Sequence, residues 1–366
     1  MIRLLIVLLV SAALLGCQNS SESDAMKPPL EFDGASGDLT ATVVVPTLDS
    51  KLLEGQSAVW CSSFQMAWNA LGRDVLGGPV EVSGAEDLSA RLNASPASAS
   101  DLPEGSLFHA AGRATPEFLA ELRAGMAKQF PQVAAPDVTA PEGSLLAYAY
   151  LAASVRFAIP FFAVTGQEFA GTPIRTFGLS EEHEYAYYQL RKQVDVLHSV
   201  NMFGNGEPEF IVDPDRDSRP CQIVLAAIPK GETLAAMVDE VLKRIAETAK
   251  REYQPSLGPN DTLLIPEFQF RLAHRFKELE GRDKVIDFMG IGEYWIDTAL
   301  QTIEFRLDKS GADLASEAKL MALPIPSHYH FDRPFLMLMR KRAAERPFFA
   351  MWVENAELMV KVRNGE

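Results

Sequence analysis

Phe331-Asp332-Arg333-Pro334-Phe335-Leu336-Met337-Leu338-Met339 is followed, after a charged stretch at residues 341–346, by Phe348-Phe349-Ala350-Met351-Trp352-Val353. Both apolar runs have strand length, and the segment between them is charged and helix-neutral, so together they predict a hairpin of two buried strands. Just upstream, Ile303, Phe305 and Leu307 alternate with Glu304 and Arg306, the period-two pattern of another strand.

Working back along the chain, residues 223–228 with Pro229 read as a strand, and residues 233–248 as a helix. In that helix Leu234, Met237, Val238, Val241, Leu242 and Ile245 share one face, which is the spacing of core packing rather than of a site. Thr115-Pro116 begins a second helix with Phe118, Leu119, Leu122 and Met126 on one side. Ser83 with Glu86 has the spacing of a capping box. Residues 39–46 read as a strand.

In residues and in order, these elements resemble the serpin family. The Phe331-to-Phe335 segment is similar to the F-x-R-P-F that opens the final serpin hairpin, and Gly311 stands where a glycine hinge feeds an exposed bait loop. Thr262-Leu263-Leu264-Ile265-Pro266-Glu267-Phe268 resembles the strand written l-x-x-P-k-F, with Leu272, Phe276 and Leu279 where a short L-x-x-L helix follows. Residues 145–161, ending in Arg156-Phe157-Ala158-Ile159-Pro160-Phe161, resemble the N-A-x-x-F-K-G-x-W-x-x-P-F strand and loop, and Trp60 to Gly72 resembles a strand-to-helix passage ending in L-G. The resemblance spans most of residues 57–359. It implies an α+β fold of mixed β-sheets covered by helices. Residues 72–145 are short for the family, so fewer helices are expected in the first half.

The departures fall on particular residues. Ala149 stands at the asparagine of the family motif, Phe157 at its tryptophan, and residues 58–62 hold no S-P-x-S. Family members use those residues to let the large sheet open.

The resemblance implies a hinge of Gly311, Ala312, Asp313, Leu314, Ala315 and Ser316, and a reactive loop of Lys319, Leu320, Met321, Ala322, Leu323, Pro324, Ile325 and Pro326. A protease attacks the loop, and the cut loop inserts into the main sheet before the acyl-enzyme is hydrolysed. As an inserting strand, Ala312, Leu314, Ser316 and Ala318 would face the core, and Asp313, Ala315, Glu317 and Lys319 would face out. Family spacing places the scissile bond at Ile325-Pro326 or Leu323-Pro324. Proline on the leaving side makes a poor serine-protease substrate. Leu320-Met321 or Met321-Ala322 would suit a chymotrypsin- or elastase-like serine protease; a cysteine protease is a further candidate partner.

At the other end, Arg3 precedes an apolar run at residues 4–15, and Leu14-Leu15-Gly16-Cys17 is a bacterial lipobox. The expectation is a signal peptide at residues 1–16, cleavage before Cys17, acylation of Cys17, and a polar, Ser-rich tether within residues 17–38. A single serpin-like domain follows at residues 39–366. Two or three acyl chains anchor stably where one is marginal. The protein is therefore expected to be exported and held to the bilayer of a bacterial envelope through Cys17. In a Gram-negative cell Gln18 favours the outer membrane.

A formal net charge of −15 over 366 residues argues against nucleic acid and against binding acidic lipid through a basic patch. No cofactor motif is present: there is no Walker A segment and no G-x-G-x-x-G after a strand. His328 and His330 lack a third ligand in sequence, and Asp213-Pro214-Asp215-Arg216-Asp217 lacks the glycine and closing glutamate of a calcium loop. Cys61, where a helix opens, is the best candidate nucleophile. A peptidase would need His109, His183, His198, His274, His328 or His330 beside it, and Met66 and Leu71 make the segment read as core. Cys61 and Cys221, which the family alignment puts on different strands of one sheet, are either bonded or two buried thiols. Two functions stand: a surface-anchored protease inhibitor that is not itself an enzyme, and a non-inhibitory lipoprotein of the same fold that binds a partner or serves the envelope.

Overall fold

A computed structural model describes residues 30–134, 136, 138–180, 187–203, 206–252, 255–287, 293–310, 326–342 and 344–363. Among these residues the chain forms three sheets. The first has the order β1 (Phe32–Ala35), β12 (Phe268–Arg275), β14 (Glu293–Leu307), β5 (Leu145–Ser154), β4 (Leu107–Arg113), with β13 (Val285–Asp287) paired to the start of β14. It is mixed: β1 runs parallel to β12 and β14 parallel to β5, while the other pairs are antiparallel.

The second sheet runs β2 (Thr42–Val44), β3 (Ser57–Cys61), β17 (Pro347–Val353), β16 (Phe335–Lys341), β10 (Cys221–Ala227), β9 (Glu209–Asp213), β8 (Asp195–Val200). The third runs β15 (His328–His330), β11 (Thr262–Pro266), β7 (Thr172–Leu179), β6 (Phe162–Phe169). Gly178 on β7 has a φ of +154°, and a Cβ there would strike the Leu263 carbonyl of β11, so only glycine lets those strands close.

The expected hairpin is at the centre of the second sheet, with Phe335 opposite Val353 and Leu338 opposite Ala350. Its runs are continuous rather than alternating because the sheet is buried on both sides. Phe335, Met337, Phe349 and Met351 enter the main core, while Leu336, Leu338 and Trp352 pack under α5 (Leu234–Ala249) against Leu234, Met237, Val238 and Val241. Thr233 caps that helix by accepting from the Ala236 amide. The helices α1 (Ser63–Ala70), α2 (Glu86–Ala94), α3 (Pro116–Gln129) and α4 (Tyr187–Gln193) complete the cover. Thr115 caps α3, whose Leu122 and Met126 pack on Leu146, Tyr148 and Tyr150 of β5.

Four expectations are corrected. Residues 272–279 form no helix: Leu272 lies in β12, which keeps pairing with β14 as far as Arg275, and Phe276 and Leu279 fill the turn after it. Interstrand pairing outweighs a helical signal of three residues. The Ser83–Glu86 capping box is absent, because the Ser83 amide is held by the Val285 carbonyl and α2 starts after Ala85; Glu86 accepts from the Gly84 amide instead. The strand expected at residues 39–46 shrinks to Thr42–Val44. Residues 31–38, expected to close the tether, are strand and turn on the edge of the first sheet.

Candidate functional site

The parallel pair β14–β5 forms a ten-rung seam, from Ile296 opposite Leu145 to Arg306 opposite Ser154, with one register shift after Ile296. β14 ends at Leu307, four residues before the expected hinge at Gly311. Its last described residues are stitched to the loop after β5: the Phe161 amide donates to the Lys309 carbonyl (3.0 Å) and the Phe157 amide to the Ser310 carbonyl (3.2 Å). Phe157, at the family's tryptophan position, is buried edge-on to Phe161 at 4.8 Å and 5.6 Å from Phe177. An aromatic anchor is kept there, though not the indole.

The hinge Gly311 to Ser316 and the loop from Lys319 to Ile325 lie outside the described residues; only Pro326 of the loop lies within them. The chain re-enters at Ser327, whose amide donates to Asp261 Oδ1 (2.7 Å) and whose carbonyl accepts from the Thr262 amide (3.0 Å), and β15 then joins the third sheet. Loop exit and loop return thus border one end of the molecule. Cys17 also lies outside the described residues.

Behind the seam is a residue that motif matching passed over. Gln301 of β14 is the register partner of Ala149, and only 1% of it is exposed. Its Nε2 donates to the Cys61 carbonyl (3.0 Å) and to Ser63 Oγ (2.8 Å) at the start of α1, while its Oε1 is buried with no hydrogen-bond partner. Where the family has an asparagine on β5, this chain has one amide on the facing strand, half satisfied. A buried acceptor left so costs about 1–3 kcal/mol. A signal for it exists in the sequence: Gln301 has the same strand parity as Ala299, Ile303, Phe305 and Leu307, so it is the polar residue on a core-facing row.

The other candidate chemistries resolve into structure. Cys61 is 2% exposed, burial pushes its thiol up to about 11, and it donates to Ser63 Oγ (3.2 Å), which leaves no thiolate for nucleophilic attack at neutral pH. Cys61 and Cys221 are both free, since β17 and β16 separate their strands by three interstrand spacings, about 14 Å. His328 Nδ1 and His330 Nε2 both share a hydrogen bond with Thr262 Oγ1 (2.8 and 2.7 Å), and no group of metal-ligating side chains occurs among the described residues.

The acidic run 213–217 is a braced turn. Asp213 accepts from the Asp215 amide (3.0 Å), from Gln222 Nε2 (2.8 Å) and from the Arg342 guanidinium (2.9 Å), and burial still pushes its carboxyl above its ordinary value. Asp215 Oδ2 accepts from the Ala158 amide (2.8 Å), which ties this turn to the loop after β5.

No protein-family model and no curated protein matches the sequence. Solved structures do match. The mouse protein-Z dependent protease inhibitor covers 81% of this chain and 90% of its own length at 12% identity and a TM-score of 0.52. SRPN18 from Anopheles gambiae covers 85% and 93% at 12% identity and 0.51. A tumour-suppressing serpin covers 81% and 92% at 9% identity and 0.50. This chain has the serpin fold. At such identities the likeness is one of architecture, and the serpin fold makes β5 and β14 the middle of the large sheet and β16–β17 the closing hairpin.

Proposed function

We propose that this serpin-fold chain is an exported, lipid-anchored inhibitor of extracytoplasmic proteases. In this reading the signal peptide is removed before Cys17, the acylated Cys17 holds the folded unit to the bilayer, and residues 319–326 are the bait. One observation carries the inhibitory reading: β14, the strand that precedes the proposed hinge in sequence, lies parallel to β5. A hinge that turns back from the end of β14 runs antiparallel to both strands, so the seam can accept it as a new central strand with two sets of ladder bonds. The alternation of Ala312, Leu314, Ser316 and Ala318 with outward residues suits burial on one face. Inhibition then draws on the free energy released when a metastable sheet becomes fully paired.

A second reading, a non-inhibitory binder on the same fold, is favoured by Ala149 in place of asparagine and by Pro324 and Pro326 at the expected leaving positions. Incubation with chymotrypsin, elastase and a papain-like cysteine protease separates the two. Inhibition predicts a complex that survives boiling in detergent and carries the protease on the cut loop. Clean cleavage by every protease, with none retained, would sink inhibition and leave the binder.

A further inference from the structure

The outer face of the first sheet carries one row of side chains that crosses four strands. Asp33 of β1 is the register partner of Arg271 of β12, Arg271 that of Glu304 of β14, and Glu304 that of Ala152 of β5. The first three are joined. The Arg271 guanidinium donates to Asp33 Oδ2 from one nitrogen (2.9 Å) and to Glu304 Oε2 from the other two (3.1 and 2.9 Å). At the fourth place an alanine is too short to take part. Tyr150, two residues back on the same face of β5, reaches across instead, and its hydroxyl donates to Glu304 Oε2 at 3.0 Å.

That last bond crosses the seam. Tyr150 is buried and packs edge-on against Phe130, which ends α3, with ring centres 4.8 Å apart. Glu304 is largely buried too. Although burial opposes its charge, the bonds from Arg271 and Tyr150 hold its carboxyl below the ordinary value. A phenol donating to a carboxylate away from water is one of the stronger hydrogen bonds a protein makes.

Parting the seam breaks it. Neighbouring strands lie about 4.8 Å apart, so a strand entering between β5 and β14 carries Tyr150 and Glu304 apart by about that much, beyond hydrogen-bond reach. The rest of the row survives, because Asp33, Arg271 and Glu304 all lie on one side of the opening. The Tyr150–Glu304 bond therefore stabilises the closed seam and not the open one. The inner face has no equivalent at this level: residue 149 is alanine, and Gln301 reaches Cys61 and Ser63 rather than β5.

We infer that Tyr150 and Glu304 are the catch of this seam, a pair of positioning residues on its outer face that set how readily β5 and β14 part. This rests on the inhibitory reading above, in which the seam takes up a new strand. Arg271, braced by Asp33, acts one step behind by fixing the Glu304 carboxylate within reach of the phenol.

Hydrogen exchange read by mass spectrometry tests the catch on the uncut chain, with no protease present. In the wild type, peptides over residues 148–152 and 302–306 should exchange before those over 335–339 and 348–352, because the seam opens while the hairpin stays shut. Tyr150→Phe keeps the ring and deletes the hydroxyl, and should speed exchange at the seam roughly ten- to a hundredfold, the worth of a hydrogen bond to a charged group. Glu304→Gln should speed it as well, and the double variant should fall well short of the product of the two single effects, as two groups sharing one bond must. A bond that breaks only when the whole chain unfolds would leave the seam's own exchange unmoved. Seam exchange unchanged by Tyr150→Phe, single effects that multiply in the double variant, or a wild type whose seam and hairpin exchange together would each overturn the catch. Its failure is distinct from that of the inhibitory reading: a chain that traps no protease can still show the coupling, and one that traps protease without it keeps inhibition and loses the catch.

Discussion

The β16–β17 hairpin and the β14–β5 pair each hold the middle of a sheet, but they are made of different material. The hairpin is antiparallel and buries Phe335, Leu336, Met337, Phe349, Met351 and Trp352 on its two faces. The seam is parallel, a slightly weaker pairing, and at its middle the inner face carries Ala147 and Ala149 opposite Ala299 and the half-satisfied Gln301. Fully burying a large apolar side chain is worth about 1.5–3 kcal/mol, and an alanine far less. At these central positions the hairpin buries the larger side chains and the seam the smaller ones.

The sharpest way to break this contrast is to cut the loop. Cleavage between residues 319 and 323 should raise the melting temperature by tens of degrees, since a stabilisation of 1 kcal/mol is worth about 2–4 °C at this size and a new central strand adds many cross-strand pairs. Ala312→Arg should abolish that rise, because a charge would enter the core unpaired. A cut wild type that melts no higher than the intact protein would mean that the seam does not open.

Next in size, Trp352→Ala should cost about 3–5 kcal/mol, as cavities of this kind do, and lower the melting temperature by roughly 10 °C. A loss of only a degree or two would mean the hairpin is less tightly packed than its burial implies.

A smaller effect compares neighbours on the seam. Ala147→Asn and Ala149→Asn both put an amide into a packed face, but only residue 149 stands opposite the free oxygen of Gln301. Ala149→Asn should therefore be the less destabilising of the two by about 1–3 kcal/mol, the cost of leaving a buried acceptor unmade, read as a difference in melting temperature. Equal losses would show that Gln301 gains nothing from an asparagine there.

An effect of similar size is one of pH, at the sheet edge beside β1. Burial pushes His274 down from its ordinary 6.5 to about 4, with Ser36 Oγ at 2.7 Å from its Nδ1. A histidine kept neutral by the fold contributes stability above pH 6.5 and loses it as the pH falls toward 4, because the unfolded chain takes up the proton first. The melting temperature of the wild type should fall more between pH 7 and pH 4 than that of His274→Asn; parallel curves would refute it.

Much of this fold was legible because its signals are long. The hairpin strands are continuous apolar runs, β14, α3 and α5 each show several residues of one period, and the order of serpin-like segments tied them together. Shorter elements were not legible: β1 is four residues containing Gly34 and exists through its pairing with Phe270 to Ala273, far away in sequence. The α2 cap failed because Ser83 was already committed to Val285. At the candidate site, sequence order located the strand at residues 145–154 and its missing asparagine, while its parallel pairing with β14 came from the structure. The role of Gln301 depends on α1 lying behind β14, a contact between residues 238 positions apart that no local pattern encodes.

The order of the second sheet has a consequence for how the molecule is made. Its centre is filled by β16 and β17, which follow every other strand of that sheet in sequence, and among the described residues β3 reaches β16 and β10 only through β17. During synthesis, β2 and β3 wait on one side and β8, β9 and β10 on the other, with an open edge between them until residue 353 arrives. Pairings of such sequence separation form slowly and leave unpaired edges exposed meanwhile. Folding of this sheet is thus gated by the delivery of residues 335–353, and a chain that stops before β17 is left with its second sheet in two pieces.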